Sequence, residues 1–379
     1  MNHIASCAAI DDGRLRRLSR SFAAEAARID REPRFPSDNV DQLRGAGLLA
    51  LTVPKRYGGL GGNLLDTTRV LGIIAEGCAS TGLILAMQLL KQAALTRTNL
   101  WPDFVRARIA TEAVRDGALI NALRVEPEMG SPTRGGLPAT VLRRTANGWT
   151  VSGHKVFATG APGLRWMDVW ARHEDQVGHV LVRADAPGIR ILETWDHIGM
   201  RATCSHDVIF TDVPVETDYV AMKPAAEWLH VDPAQMAWNA AGIGAIYTGI
   251  ARAARDWVAA FLRERVPSGL GAALATLPRA QEKVGEIEML LAANARLIGS
   301  VASETDDGAP THPNESALIK TMVIDNANRA VELAAALAGN HAHARANPIE
   351  RHIRDVRCGR VQAPQADAAF VAAGRAVLL

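Results

Sequence analysis

The spacing of apolar residues changes twice along the chain, and this change restricts the possible folds more than any other feature. In the first third, apolar residues recur every three or four positions, as at Leu15, Leu18 and Phe22, which predicts helices. In the middle the spacing shortens to two, as in 177–182, which predicts short strands. Helical spacing then returns and continues to the end. The pattern predicts an α+β fold of three domains, at 1–117, 118–220 and 221–379.

The middle domain is predicted to be a β-barrel or β-sandwich, because glycine, proline and aspartate separate its short strands. The last domain is predicted to be a four-helix bundle. Two of its predicted helices, 240–262 and 314–338, are apolar over more than one face. Since one buried face is enough for the chain's own core, this excess favours a homodimer or homotetramer. The four predicted helices are 240–262, 278–305, 314–338 and 364–378.

Composition argues against several kinds of partner. The chain has 42 lysines and arginines against 40 aspartates and glutamates, so we expect neither nucleic acid nor a membrane surface as partner. No apolar run is long enough to span a membrane. His341 and His343 lie close together, but no cysteine or carboxylate completes a set, so no metal site is predicted. The four cysteines are far apart, which is typical of reduced thiols in a cytoplasmic protein.

Six segments, taken in order, resemble those of the acyl-CoA dehydrogenase superfamily of flavoproteins. They include a glycine-rich turn, a Glu-Pro loop, a Gly-His-Lys strand and an Arg-Asp pair near the C-terminus, and together they extend over nearly the whole chain. The resemblance implies a helical, a β and a helical domain, a homo-oligomer, and FAD bound between the β domain and the helical domains. The segments are 53–61, 125–132, 153–160, 199–215, 339–345 and 348–357.

The residues expected to bind FAD follow from this resemblance. Phe157 stands where the family has an aromatic wall against the flavin, and Thr159 where a threonine reaches the flavin edge. Gly130 and Ser131 lack bulk, so their backbone N–H groups can approach a phosphate. Residues from the neighbouring subunit would complete the site. The full set is Leu123, Val125, Gly130, Ser131, Phe157, Ala158 and Thr159, with Gly339 and Asn340 from the neighbour.

The sequence departs from the family pattern at the positions that carry catalysis. In the family a glutamate removes a proton from an acyl thioester while the flavin accepts hydride. That position falls on Ala363, and the position that some members use instead falls on Asn239. Neither side chain can accept a proton. Val125 replaces a flavin-binding threonine, and 266–278 holds no clear counterpart of the family's Arg-x-x-Phe element.

A second branch of the superfamily, the flavin-dependent monooxygenases, offers another interpretation. Its two histidine positions fall on Gln88 and Gln362, and a glutamine can donate a hydrogen bond but cannot carry a proton. Arg124, beside the flavin loop, can recognise an anionic substrate group or the charge of reduced flavin, or it can lie on the surface. The predicted pocket residues are Gln362, Ala363, Asn239, Gln88 and Arg124.

Three functions remain open at this point. The first is α,β-desaturation of an acyl thioester, carried by CoA or a carrier protein, by an FAD-dependent dehydrogenase with Ala363 in place of the usual glutamate and an electron-transfer partner. The second is a flavin-dependent monooxygenase that receives reduced flavin from a partner reductase. The third is a catalytically idle protein that keeps the flavin fold as a scaffold or ligand binder.

Overall fold

The computed structural model describes residues 11–128, 137–146, 148–229 and 231–379, and it confirms the α+β fold with a helical, a β and a helical domain. The first helix begins at an N-cap, Asp11, whose carboxylate accepts hydrogen bonds from the backbone of Gly13 and Arg14. Its apolar stripe, including Leu15 and Phe22, is buried. The N-terminal helices are α1 (Asp12–Arg31), α2 (Ser37–Gly45), α3 (Leu64–Gly77), α4 (Ala79–Arg97) and α5 (Asp103–Asp116).

The middle domain is an eight-stranded sheet among the described residues, and two of its pairings position the candidate site. β1 runs parallel to β4, and β4 pairs with β5 in an antiparallel register. The order across the sheet is β6-β7-β3-β2-β4-β5-β8, with β1 beside β4. The strands are β1 (Leu119–Leu123), β2 (Val141–Thr145), β3 (Gly148–Lys155), β4 (Leu164–His173), β5 (Gln176–Arg183), β6 (Ile189–Leu192), β7 (Asp207–Val215) and β8 (Val220–Pro224).

The last domain packs its long helices against each other and against α3. A Cβ atom on Gly249 would lie only 2.4 Å from the carbonyl oxygen of Gly72, so this crossing of two helices requires the absence of a side chain. Tyr247 and Ile250 are fully buried on the same helix. The helices are α6 (Pro233–Glu264), α7 (Pro278–Asp306), α8 (Pro313–Ala338), α9 (Pro348–Arg357) and α10 (Ala366–Leu378).

Some predicted bounds differ from the structure. Apolar residues keep a helical spacing through 64–95, but the structure divides this segment into α3 and α4, because Cys78 adopts an extended conformation with φ −148°. The helix predicted at 240–262 begins earlier, at Pro233, where Asp232 caps it through the backbone of Ala234. The predicted boundary at 220 falls inside β8, which pairs with β5 as far as Pro224.

Candidate functional site

Phe157 lies uncovered in the turn that follows β3. Its ring is 55% exposed, and its backbone has a φ of +59°, a conformation that residues other than glycine rarely adopt. The rings of Trp195 and His197 meet it edge-on, with centroids 6.3 and 6.0 Å away, and they stack on each other at 3.6 Å. The neighbouring rings hold Phe157 in place while leaving a flat apolar surface open to a ligand.

A group of hydroxyls lies two residues after this ring. Thr159 Oγ1 accepts a hydrogen bond of 3.1 Å from Ser205 Oγ, which lies 2.8 Å from Thr203 Oγ1. The carbonyl of Thr159 accepts a bond of 3.0 Å from the side-chain amide of Asn121 on β1. Polar groups with fixed positions therefore border the exposed aromatic ring, as a site for a planar heterocycle requires.

The structure brings five of the predicted cofactor residues together. Leu123 and Ala158 are buried, and the carbonyl of Val125 accepts a 3.0 Å bond from the backbone of Val156, which joins the end of β1 to the turn with Phe157 and Thr159. Gly339 and Asn340 are exposed after α8. Gly130 and Ser131 lie outside the described residues.

Glu126 is fixed inside the β domain and is not free to act as a base. Its carboxylate accepts hydrogen bonds from the backbone of Ala139, the backbone and hydroxyl of Thr140, and the ammonium of Lys155. Burial opposes ionisation, but the bonds from Lys155 and Thr140 hold the pKa of Glu126 below its ordinary value. Burial lowers the pKa of Lys155 to about 8.

Asp355 connects the last domain to the segment that carries Trp195 and His197. Its Oδ1 accepts a 2.6 Å hydrogen bond from the backbone of Met200, and burial raises the pKa of Asp355 to about 6. The adjacent Arg354 donates to both carboxylate oxygens of Asp30 on α1 and to Glu350. These bonds hold α1, α9 and the 195–204 segment together. Asp355, like Glu126, is therefore engaged in structural hydrogen bonds.

Gln88 does not face a ligand pocket, contrary to the sequence-based expectation. Its side-chain amide donates to the carbonyls of Leu49 and Ala118 and accepts from the backbone of Ile120, and the residue is 1% exposed. All the polar atoms of Gln88 therefore serve to join α4 to the start of β1, because buried polar groups need partners.

The remaining pocket candidates lie on three other segments. Asn239, half-buried on α6, accepts a 3.0 Å bond from Gln235, and Arg124 is exposed with its guanidinium 4.9 Å from the Trp170 ring centre. Gln362 is half-buried and Ala363 is exposed in the turn between α9 and α10. None of these four side chains is a carboxylate.

Sequence reasoning missed a cluster of three polar residues that come from three different elements. The ammonium of Lys91 on α4 bonds to Asp168 on β4, whose carboxylate also lies 2.9 Å from Nδ1 of His179 on β5. Asp168 is fully buried. The only signal in the sequence was an aspartate between Met167 and Val169, in the otherwise apolar stretch 166–171.

Two negative findings concern the described residues only. No helix in that part of the chain is long and apolar enough to cross a membrane. The same residues contain no group of three or more histidine, cysteine, aspartate or glutamate side chains arranged to hold a metal ion.

Three family models match the chain in order. They are described as the N-terminal, middle and C-terminal domains of acyl-CoA dehydrogenase, and they match residues 13–97, 124–213 and 241–363. Together they extend over most of the chain, and each falls within the corresponding part of the fold.

Two known proteins are similar to this chain over most of their length. The "Putative acyl-CoA dehydrogenase YdbM" of Bacillus subtilis (strain 168) is 33% identical over 364 residues, which covers 93% of this chain and 92% of that protein. L-evernosamine nitrososynthase of Micromonospora sp. is 30% identical over 367 residues, which covers 90% of this chain and 83% of that protein.

A solved structure of KijD3 in complex with FMN and dTDP-3-amino-2,3,6-trideoxy-4-keto-3-methyl-D-glucose has the same fold. It superposes with a TM-score of 0.82 at 26% identity, covering 96% of this chain and 92% of KijD3. From the three matching domains and these relatives, we conclude that the chain belongs to the acyl-CoA dehydrogenase family.

Proposed function

We propose that this protein is a flavin-dependent oxidoreductase whose flavin ring lies against Phe157. The observation that carries the proposal is the ring of Phe157, 55% exposed and held by Trp195 and His197 beside the hydroxyls of Thr159 and Ser205. These residues fit a flavin, which needs a flat apolar wall and polar groups at its heteroatom edge. When bound, a flavin supplies two-electron redox chemistry and, when reduced, the electrons that activate dioxygen.

Within this class, the site favours a monooxygenase over a dehydrogenase of acyl thioesters. Desaturation of a thioester requires a base for a weakly acidic C–H bond, and a positioned base contributes about a hundred- to ten-thousandfold in rate. The positions that the resemblance assigns to that base hold Ala363 and Asn239. Glu126 and Asp355 are engaged in structural hydrogen bonds.

The chain's own residues would then bind and orient the flavin and its substrate. Phe157 supports one face of the ring, and Leu123 and Ala158 exclude water beneath the turn. Asn121 fixes the backbone at Thr159 by its bond to the carbonyl, so the hydroxyl of Thr159 is held in a constant position for a flavin heteroatom.

The identity of the flavin is a separate proposal. The family resemblance favours FAD, with Gly339 and Asn340 of a neighbouring subunit completing the site in a homodimer or homotetramer. FMN is the alternative, since the KijD3 structure contains FMN and 266–278 has no clear Arg-x-x-Phe element. Acid release of the cofactor followed by chromatography against both standards distinguishes the two.

Desaturation of an acyl thioester remains the second candidate, because the YdbM relative is described as an acyl-CoA dehydrogenase. The two reactions need different partners: a monooxygenase needs a reductase that delivers reduced flavin, and a dehydrogenase needs an electron-transfer partner.

The test is dioxygen consumption when chemically reduced FMN or FAD is supplied, with free flavin as the blank. Dioxygen consumption that is slower than in the blank, with a lag that depends on the protein, supports a monooxygenase. Reoxidation identical to the blank for the wild type and for Phe157→Ala contradicts the proposal.

A further inference from the structure

Three aromatic rings and an arginine form a contact group on the sheet, next to the candidate flavin site. The rings of Trp170, His179 and Trp228 contact one another, with centroids 4.9 to 5.1 Å apart. The guanidinium of Arg124 lies 4.9 Å from the centre of the Trp170 ring. We call this group the aromatic cluster.

The strand register places the aromatic cluster beside the loop predicted to bind the flavin. β1 lies next to β4 with Leu123 opposite Val169, and β4 lies next to β5 with Trp170 opposite His179. Arg124 follows Leu123 directly, and Val125 follows Arg124. Because adjacent strands are about 5 Å apart, Arg124 and His179 are on neighbouring parts of one surface.

Asp168 determines which nitrogen of His179 carries the hydrogen. Burial opposes ionisation of Asp168, but His179 and Lys91 hold the pKa of its carboxyl well below the ordinary value, so it is a carboxylate. A carboxylate only accepts hydrogen bonds, and it lies 2.9 Å from Nδ1 of His179. Nδ1 therefore carries the hydrogen, and Nε2 presents a lone pair.

His179 is neutral and can take up a proton. Burial lowers the pKa of His179, and the positive charges of Lys91 and Arg124 act in the same direction, while Asp168 opposes them. The side chain is 13% exposed, so a small part of it is in contact with solvent. A neutral imidazole oriented by a buried carboxylate is the usual arrangement of a general base.

Arg124 gives the aromatic cluster a cation, and no carboxylate of the described residues lies within 4 Å of its guanidinium. Asp168 attracts the guanidinium from farther away and is itself paired with Lys91 and His179. Arg124 is an exposed residue, and its guanidinium lies over the ring of Trp170. An arginine held in this way is suited to a carboxylate, phosphate or sulfur oxyanion.

We propose that the aromatic cluster binds the substrate of the proposed flavin reaction, with Arg124 holding an anionic group and His179 Nε2 accepting a proton from a nearby N–H or O–H group. The proton moves from the substrate heteroatom to Nε2, and the electron pair of the broken bond stays on that heteroatom. The imidazolium is stabilised by Asp168, and the proton is then released to water. This inference rests on the proposed flavin function for its reaction, but its binding test does not require flavin chemistry.

The test uses two planar probes that differ by one donor group. Anthranilate carries a carboxylate and an amine on one ring, whereas benzoate carries the carboxylate alone. Isothermal titration of the purified protein is expected to show tighter binding of anthranilate. His179→Phe should remove that difference, about tenfold for one hydrogen bond, and leave benzoate unchanged. Arg124→Gln should weaken both probes.

Two further variants separate binding from folding. His179→Gln keeps an amide that can donate to Asp168 and lacks the ring nitrogen, so it should behave as His179→Phe does. His154, which pairs with Asp207 at 2.7 Å outside the aromatic cluster, gives the matched control, and His154→Phe should leave both affinities unchanged.

The pH dependence gives a readout that a purely structural histidine would not produce. Protonation of Nε2 removes the acceptor, so the preference for anthranilate over benzoate should disappear as the pH falls through the pKa of His179. The charged groups around this ring are Asp168, Lys91, Arg124 and Lys223. Absence of anthranilate binding, or a preference that persists in both His179 variants, overturns the proposal.

Discussion

Lys155 and Glu126 form an ion pair inside the β domain, with Nζ 2.6 Å from Oε1 and side chains that are 0% and 3% exposed. Removing one partner leaves a buried charge uncompensated, which costs about 3–5 kcal/mol. We therefore expect Lys155→Met to lower the free energy of unfolding by about that amount in urea denaturation. Arg115→Met, which breaks the exposed pair with Asp116, is the control and should cause no measurable change. Equal effects of the two substitutions would contradict the structural role of the buried pair.

Phe157→Ala tests the wall of the flavin site. Loss of a large aromatic contact should weaken flavin binding by about 2 kcal/mol, or about thirtyfold in Kd. Fluorescence titration with FMN and FAD measures the change. Phe104, 54% exposed on α5, provides a matched control, and Phe104→Ala should bind flavin as the parent does. A Phe157→Ala protein with the parent's affinity would show that the flavin lies elsewhere.

Helices and strands with one buried face were predictable, because their apolar residues recur with the period of the helix or strand. α7 and α8 begin and end within one residue of the predicted bounds. The break at Cys78 was not predictable, since α3 and α4 are buried on most sides and the apolar pattern continues through the junction.

The residues of the candidate site were named only with help from the family resemblance, and their role towards a flavin stays a prediction. The structure places Phe157 and Thr159 near the end of β1. The role of Gln88 was wrong, because a sequence gives the residue type but not whether backbone groups already satisfy its amide. The contact of Lys91, Asp168 and His179 depends on strand register between distant segments, which the spacing of residues does not specify.

Asp355 should make stability depend on pH in a defined direction. Burial raises its pKa from 3.8 to about 6, so the folded state binds the proton more tightly than the unfolded chain does. Its contribution is therefore complete below pH 3.8 and is lost as the pH rises to about 6. Asp355→Asn keeps an acceptor for Met200 and removes the titration.

The relevant quantity is the difference in unfolding free energy between the parent and Asp355→Asn. Burial also lowers the pKa of His352 to about 3, which changes the stability of both proteins and cancels in the difference. From pH 7 to pH 5 the parent should gain on the order of 1–2 kcal/mol relative to the variant. A difference that is constant with pH would contradict the assignment.

Self-association is expected to involve the last domain. Met322 on α8, Val361 after α9, and Phe370 and Val371 on α10 are large apolar side chains that are at least half exposed. Light scattering should give two or four times the mass of one chain, and Phe370→Glu should shift the population towards the monomer. A monomeric parent protein at micromolar concentration would contradict this prediction.

Ala363→Glu tests the central claim most directly, because it restores a carboxylate at the position that the resemblance assigns to the dehydrogenase base. The measurement is the visible absorbance of the flavin-loaded protein after anaerobic addition of butyryl-CoA, for the parent and for the variant. A site built for monooxygenation should show no loss of flavin absorbance in either protein, with flavin still bound. Rapid bleaching of the parent flavin would contradict the account, and bleaching of the variant alone would identify a dehydrogenase pocket that lacks only its base.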